Sequence, residues 1–244
     1  MGDDRLLLPG GAAGWPLVGR DTEVDAARAA LADGRGLVIV GEPGTGKTRL
    51  ATEVVARTTE ELGLQWHVVI GSRGAASVPL GAWAHLLPDS WEPGVDDETT
   101  WRRLTASLTP SGDAIHLFVD DAQWLDPVSA GLLHHLVTTG QAKAVVTQRR
   151  PDTTSQPLVA LWKDGYLARH DLGAIDAGQT EAVLESGLGA PVEPRTARAT
   201  DNKPTFLTIT ASKEGFFPAS KGVQIYCGAS IEVASGHRRR RPVG

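Results

Sequence analysis

The chain has 244 residues, of which 41% are hydrophobic and 22% are charged, and this balance excludes an intrinsically disordered protein. The formal net charge of −5 gives no overall electrostatic footprint for nucleic acid. The single cysteine, Cys227, excludes an internal disulfide framework, and no apolar run is long enough for a membrane span, so we expect a cytoplasmic protein with no membrane partner.

Strand-like and helix-like stretches alternate along most of the chain, after a glycine-rich leader of residues 1–16 that we expect to be flexible. Asp21 is a favourable N-cap for the first helix, and Asp126-Pro127 starts a later helix with proline at its first position. The predicted strands are residues 37–40, 64–70, 115–121, 142–147, 168–172 and 223–227. The predicted helices are residues 22–33, 49–56, 98–108, 127–139, 157–164, 177–186 and 194–200. This alternation predicts an α/β fold with a mainly parallel sheet flanked by helices.

The most specific motif is Gly-Glu-Pro-Gly-Thr-Gly-Lys-Thr, residues 41–48, which lies between the first strand and the second helix. This is the phosphate-binding loop (Walker A) pattern in the strand–turn–helix context that it requires. Its glycines allow backbone N–H groups to surround a polyphosphate, and the helix adds its positive N-terminal end. Lys47 can then reach the β- and γ-phosphates, while the Thr48 hydroxyl can bind Mg²⁺. The alternative, a chance match in a glycine-rich chain, does not explain the correct flanking elements.

A second acidic motif follows the third strand, where Asp120 and Asp121 are adjacent. Downstream of a phosphate-binding loop, Asp120 is expected to hold Mg²⁺ and Asp121 to orient or activate the attacking water. The alternative is a pair of solvated carboxylates at a strand end. A glutamate in place of Asp121 would reach further by one methylene, so the aspartate favours slow or tightly gated hydrolysis.

The next strand ends in Thr147-Gln148-Arg149, a polar end that suggests a sensor of the γ-phosphate. Ligands of parallel α/β sheets bind beyond the carboxyl ends of the strands, so an arginine there can reach a phosphate. We favour Arg149 over Arg150 for this role. The alternative is a surface arginine that precedes Pro151.

Three stretches of the chain together resemble the signal-transduction ATPases with numerous domains (STAND), a group of AAA-type P-loop ATPases. They are residues 17–23 (Leu-Val-Gly-Arg-Asp-Thr-Glu), the loop at 41–48, and residues 119–126 (Val-Asp-Asp-Ala-Gln-Trp-Leu-Asp). More closely, the chain is similar to the N-terminal ATPase module of large LuxR-type transcriptional regulators of actinobacteria, also through residues 76–88 and 160–165. The resemblance covers residues 17 to about 211.

This resemblance implies a P-loop NTPase core with a small C-terminal helical lid, and ATP and Mg²⁺ as cofactors. It implies that Val18, Gly19 and Arg20 line the adenine side of the site, and it supports Arg149 as the sensor. Residues 202–207 resemble a lid motif in which Pro204 packs near adenine, although Asn202 replaces the glycine of that motif. Together, the composition and the resemblance predict a leader at 1–16, an ATPase core at 17–152, a helical lid region at 153–211 and a divergent, partly disordered tail at 212–244.

The candidate site residues follow from these motifs and from the resemblance. The nucleotide-binding set is Val18, Gly19, Arg20, Gly41, Glu42, Pro43, Gly44, Thr45, Gly46, Lys47, Thr48, Arg49 and Pro204. The expected metal ligands are Thr48 and Asp120. The expected catalytic residues are Lys47, Asp121 and Arg149.

We therefore expect an ATP-binding regulatory switch that binds ATP and ADP and hydrolyses ATP slowly with Mg²⁺. One alternative is a fragment of a DNA-binding regulator that only senses nucleotide, and another is a degenerate ATP binder without turnover. The resembled regulators end in a helix-turn-helix, whereas this chain shows no helix pair spaced for the major groove, so specific DNA binding is not expected. Its one basic cluster is Arg238–Arg241. A protein partner or self-association stays open, as does the choice between a natural short protein and a truncated or frame-shifted derivative.

Overall fold

The computed structural model of the chain describes residues 17–87, 97–108, 113–150, 155–188, 205–207 and 229–231. Its helices are α1 Asp21–Ala32, α2 Lys47–Leu62, α3 Asp97–Leu108, α4 Pro127–Thr138, α5 Gln156–Lys163 and α6 Ala177–Leu188. Its strands are β1 Gly36–Gly41, β2 Trp66–Ile70, β3 Ile115–Asp120, β4 Ala142–Gln148, β5 Leu167–Leu172, β6 Thr205–Leu207 and β7 Ala229–Ile231. The short 3₁₀ segments are Ala75–Ser77, Gly81–Leu86 and Ala122–Trp124. No helix among these described residues is both long and apolar enough to cross a lipid bilayer.

Strands β1 to β5 form one parallel sheet in the order β2-β3-β4-β1-β5. The chain order of the strands differs from their order in space, because β3 and β4 lie between β2 and β1. The register places Ile39 of β1 beside Thr147 of β4, and Val119 of β3 beside Val146. The carboxyl ends of β1, β3 and β4 therefore lie side by side at one edge of the sheet.

Apolar side chains cover both faces of this sheet, as expected for buried parallel strands. One core lies between the sheet and helices α4 and α5, and it includes Val38, Val40, Leu117, Val119, Leu132, Leu133, Leu136, Leu158 and Leu161. Successive side chains of a strand face opposite sides, so the buried Ile39 and Phe118 face the other layer. That layer contains the fully buried apolar residues of α1 and α2: Val24, Leu50, Ala51, Val54 and Val55.

The first residues of α4 agree with the sequence prediction, whereas those of α1 do not. Asp126 caps α4 as the sequence indicates: its Oδ1 accepts hydrogen bonds from the backbone N–H groups of Val128 and Ser129, both at 3.0 Å. The prediction of Asp21 as a cap is wrong. Asp21 lies in the first turn of α1 and Arg20 occupies the capping position without a side-chain cap. The Arg20 guanidinium has only donors and cannot accept from the first N–H groups of the helix; it donates instead to Glu23 and to the Gly173 carbonyl.

The chain divides into two compact units. Of the described residues, the first unit comprises Arg20–Glu42 and Lys47–Gly173, and it contains the whole five-stranded sheet. This unit continues through β5 to Gly173, and the predicted end of the ATPase core at residue 152 stays a prediction.

The second unit includes residues 17–19, Pro43–Gly46 and the described residues after Gly173. It contains α6 and a two-stranded parallel sheet of β6 and β7. Residues 205–207, part of the predicted helical lid region, thus form a strand. The predicted leader, the helix at 194–200, the strand at 223–227, Cys227, Pro204 and the arginine cluster lie outside the described residues.

Candidate functional site

The phosphate-loop motif lies where the sequence predicts, between β1, which ends at Gly41, and α2, which begins at Lys47. Gly44 and Gly46 have φ angles of 82° and 90°, in the left-handed region that glycine adopts without a steric penalty. The Lys47 side chain is buried, and its Nζ donates a hydrogen bond to the Glu42 carbonyl oxygen at 2.8 Å. The lysine is thus held beside the last residues of β1 rather than extended into solvent.

Thr48 and Asp120, the two predicted metal ligands, are in direct contact although they are far apart in the sequence. Thr48 Oγ1 donates to Asp120 Oδ1 at 2.9 Å, and Thr147 Oγ1 donates to the same oxygen at 2.6 Å. Asp120 is only 6% exposed, and burial raises the pKa of its carboxyl, although hydrogen bonds from the two hydroxyls act in the opposite direction. A buried carboxylate in contact with a hydroxyl supplies the oxygen ligands that Mg²⁺ prefers.

The donor set fits Mg²⁺ better than a metal held by protein ligands alone. Within the described part of the chain, no three His, Cys, Asp or Glu side chains are grouped closely enough to hold a metal ion by themselves. Mg²⁺ is commonly bound by one or two protein oxygens together with water and substrate phosphates. Asp120 and Thr48 match that pattern.

Asp121, the expected water-orienting residue, begins the turn after β3 in a left-handed conformation, with φ 51° and ψ 47°. Aspartate tolerates this conformation better than most residues do. Its backbone N–H donates to Thr147 Oγ1 at 2.9 Å, and its Oδ1 accepts from Gln123 Nε2 at 2.8 Å. The carboxylate is therefore held next to Asp120 and beside the end of β4.

Electrostatics also link Lys47 to the acidic pair and to Arg149. Burial lowers the pKa of the Lys47 ammonium, and the positive charge of Arg149 lowers it further, while the charges of Asp121 and Asp120 raise it. The four predicted groups are thus close enough to influence one another. Two cations and two carboxylates at one sheet edge are suited to a polyphosphate with its divalent cation.

The two adjacent arginines after β4 have different surroundings. Arg150 Nε lies 3.3 Å from Glu42 Oε1 in an ion pair whose side chains are about half exposed. The Arg149 backbone N–H donates to Gln123 Oε1 at 2.9 Å, and its guanidinium pairs with no carboxylate of the described residues. The choice of Arg149 over Arg150 as the γ-phosphate sensor stays a prediction.

Several predicted nucleotide-binding residues have structural contacts instead of an open position. Arg20 is buried, and its guanidinium donates to Glu23 Oε1 at 2.6 Å and to the Gly173 carbonyl at 2.7 Å. Arg49 forms an ion pair with Glu53 along α2, at 3.6 Å. In the second unit, the Gly19 carbonyl accepts from Gln179 Nε2 at 2.8 Å. The adenine-side role of Val18, Gly19 and Arg20 stays a prediction.

The structure adds two residues to the site that the sequence motifs did not assign. Thr147 joins Asp120 to the backbone of Asp121, and Gln123 joins Asp121 to Arg149. A sequence signal existed for both: Thr147 is polar at the end of an apolar strand, and Gln123 lies within the acidic motif. Their partners depend on which strands are neighbours, and the motifs do not specify this.

Comparisons with a family model and with solved structures found proteins that are similar to this chain. Residues 16–98 match the family model of the AAA ATPase domain. The structure is similar to that of the Aeropyrum pernix ORC1 protein in complex with DNA, with TM-score 0.57 and 18% identity over 75% of this chain and 52% of that one. It is also similar to the Aeropyrum pernix ORC2 protein in ADPNP-ADP complexes, with TM-score 0.52 and 17% identity over 80% of this chain and 57% of that one.

This chain thus matches just over half the length of those two structures. A search of curated protein sequences found no match. The parallel five-stranded sheet with flanking helices is a P-loop NTPase fold, as the sequence predicts. More particularly, the chain contains a segment similar to the AAA ATPase domain. The finer resemblance to STAND and LuxR-type modules stays a prediction.

Proposed function

We propose that this chain is an ATP-binding regulatory switch module that hydrolyses ATP slowly with Mg²⁺. The observation that supports this most directly is the 2.9 Å hydrogen bond between Thr48 and Asp120. It joins the end of the phosphate-loop motif to the second acidic motif, as a shared magnesium site requires. Lys47 and Arg149 add positive charge beside this pair.

Each side chain then has a distinct role. Thr48 and Asp120 would hold Mg²⁺, which neutralises charge that develops on the phosphates when it is bound. Lys47 would contact the β- and γ-phosphates, and Arg149 would contact the γ-phosphate. Because Asp121 Oδ1 already accepts from Gln123, Oδ2 is the oxygen left to orient the attacking water and receive its proton. The short aspartate side chain supports slow turnover.

The ligands that we propose are ATP and ADP. A switch must act on another molecule, so we propose that the module binds a protein partner or a second copy of the chain. We also propose a cytoplasmic location, because a chain with a single cysteine fits a reducing compartment. The finer proposal, a STAND-type module like that of LuxR-type regulators, is supported by residues 17–23 and 119–126. Their side chains include Arg20, which anchors α1, and Asp126, which caps α4.

Asp121→Asn is expected to lower ATP turnover at least ~100-fold, since proton transfer by a positioned side chain contributes at least that much. Asparagine tolerates the left-handed backbone of this position and keeps an oxygen that can accept from Gln123. ATP affinity should stay within about threefold of the wild type, because a charge-neutralising change one residue from the metal ligand leaves Lys47 and Thr48 in place.

Phosphate release and ATP affinity, measured on the purified chain, test this expectation. Asp164→Asn changes an exposed aspartate after α5 and controls for the loss of one negative charge. Turnover that survives Asp121→Asn would remove this residue from the mechanism. Micromolar ATP binding by a wild-type chain without turnover would favour the non-hydrolysing alternative.

Arg149→Ala is expected to reduce the preference for ATP over ADP about tenfold or more, because a hydrogen bond to a charged group contributes ~1.5–3 kcal/mol. Arg150→Ala is the matched control from the next position. Its half-exposed ion pair with Glu42 is of a kind that contributes ~0–1 kcal/mol, so the preference should change less than about fivefold. Titrations with ATP and ADP in Mg²⁺ give the ratio. A larger effect from Arg150 would reverse the assignment.

A further inference from the structure

We propose that Gln123 is a positioning residue that couples Arg149 to the carboxylate of Asp121. The inference rests on the proposed ATPase function, and it adds a residue to which neither the motifs nor the comparisons give a role. The carboxylate of Asp121 would then be held in position to orient water only when Arg149, the proposed γ-phosphate sensor after β4, is itself in position.

The side-chain amide of Gln123 bridges two strand ends. Its Nε2 donates to Asp121 Oδ1 at 2.8 Å, and its Oε1 accepts from the Arg149 backbone N–H at 2.9 Å. The orientation of the amide is fixed by its partners. A flipped amide would place an oxygen against the carboxylate and an NH₂ group against the N–H, and would lose both bonds.

Other contacts hold the backbone of Asp121 but not its carboxylate. The Asp121 N–H donates to Thr147 Oγ1 at 2.9 Å, and its carbonyl accepts from the Trp124 N–H at 2.9 Å. Among the described residues, Gln123 is the donor to the Asp121 side chain. Loss of the Gln123 amide should therefore release the carboxylate while the turn itself stays formed.

The bridge also gives the two groups a physical link. Gln123 belongs to the short 3₁₀ segment Ala122–Trp124, and both ends of its amide are bonded. A displacement of the Arg149 backbone, on contact of its guanidinium with a γ-phosphate, must be taken up by the amide or must break a bond. Either response changes the position of Asp121 Oδ1. ADP, which lacks the γ-phosphate, gives Arg149 no such contact.

Two substitutions of Gln123 distinguish its hydrogen bond to the Asp121 carboxylate from its hydrogen bond with the Arg149 N–H. Gln123→Met keeps a flexible side chain of similar length and removes both hydrogen bonds. Gln123→Glu keeps the acceptor for the Arg149 N–H, but it replaces the donor to Asp121 by a second carboxylate. We expect both variants to lower the turnover number about tenfold or more while the dissociation constant for ATP changes less than about threefold. Gln65→Met, an exposed glutamine before β2, is the matched control.

Two further measurements distinguish positioning from a general structural effect. In the double mutant with Arg149→Ala, the losses in turnover number should be non-additive, since both changes act on one unit. In the nuclear magnetic resonance spectrum, the Gln123 side-chain amide should shift more with a non-hydrolysable ATP analogue than with ADP. That difference should disappear in Arg149→Ala.

The outcomes are separable. Gln123→Met turnover within twofold of wild type, additive losses in the double mutant, or an amide that responds equally to both nucleotides would each overturn the coupling. If the wild type binds ATP without turnover, the resonance shift of the Gln123 side-chain amide with the two nucleotides is the test of the coupling. Failure of the proposed function has its own signature, which is absent or Lys47-independent ATP binding, and the coupling then falls with it. Thermal unfolding of each variant confirms that the comparison is between folded proteins.

Discussion

Lys47→Ala is expected to weaken ATP binding at least ~100-fold, the largest effect on ATP affinity of any single substitution in this site. The buried ammonium of Lys47 lies among Asp120, Asp121 and Arg149, and its proposed role is to contact the two terminal phosphates. Burial lowers the pKa of the lysine, and the negative charge of a bound polyphosphate would act in the opposite direction by favouring the ammonium form. Alanine offers no group that can replace this charge at the phosphates.

Isothermal titration of ATP in Mg²⁺ measures this effect. Lys143→Ala is the matched control, because Lys143 is a partly buried lysine near the start of β4, at the opposite edge of the sheet. The control should bind ATP within about twofold of the wild type. Near-normal ATP affinity in Lys47→Ala would refute the nucleotide site proposed here. A circular dichroism spectrum like that of the wild type would show that the variant is folded.

Asp120→Asn is expected to have two opposite effects: loss of the magnesium dependence of ATP binding, and a more stable nucleotide-free protein. Asparagine keeps an oxygen that can accept from Thr48 and Thr147, so the local hydrogen bonds can persist. It removes the negative charge that would bind Mg²⁺. The gain in ATP affinity on adding Mg²⁺ should fall about tenfold or more.

The sign of the stability effect follows from the raised pKa of Asp120, whose first cause is burial. A carboxyl whose pKa is higher in the folded state stabilises the fold at a pH below its unfolded value, and this contribution is lost as the pH rises through the folded pKa. At a pH above the folded pKa, the ionised carboxylate therefore opposes folding. Asparagine carries no charge that burial would penalise, so Asp120→Asn should raise Tm. The advantage should shrink as the pH falls through the folded pKa.

The same substitution at Asp126 gives a control with the opposite sign. Asp126 is also buried, but it caps α4 and accepts hydrogen bonds from two backbone N–H groups and from Ser129 Oγ. Its negative charge at a helix N-terminus is favourable, so Asp126→Asn should lower Tm. Thr48→Ala should reduce the magnesium effect without the rise in Tm. A Tm that falls in Asp120→Asn would contradict the assignment of its carboxylate as a destabilising group.

The strand–loop–helix unit at residues 36–62 could be predicted from the sequence because its signals are local. The glycines at 44 and 46 match positive φ angles, and α2 begins directly after the loop. The fold class was predictable for a similar reason, since strands that alternate with helices allow few other arrangements. The N-cap of α4 also depends on residues within one turn, and it is as expected.

The contacts of Arg20 are a feature that local sequence patterns do not predict. Asp21 has the sequence signature of an N-cap, but the Arg20 side chain reaches the carbonyl of Gly173, which is distant in sequence, and the helix starts one residue earlier. A long-range hydrogen bond of this kind depends on the position of β5 in the sheet. No pattern around residue 20 contains that information.

By itself, the sequence determined which residue types the site has: a lysine and a threonine at the start of a helix, two aspartates after a strand, and an arginine after another. The tertiary structure alone decided how they meet. Because β4 lies between β1 and β3, Thr147 bonds to Asp120 and Gln123 bridges Asp121 to Arg149. The physical reason is that packing across the whole sheet sets the strand order and the left-handed turn at Asp121. The spacing of a motif depends only on residues that are close in sequence.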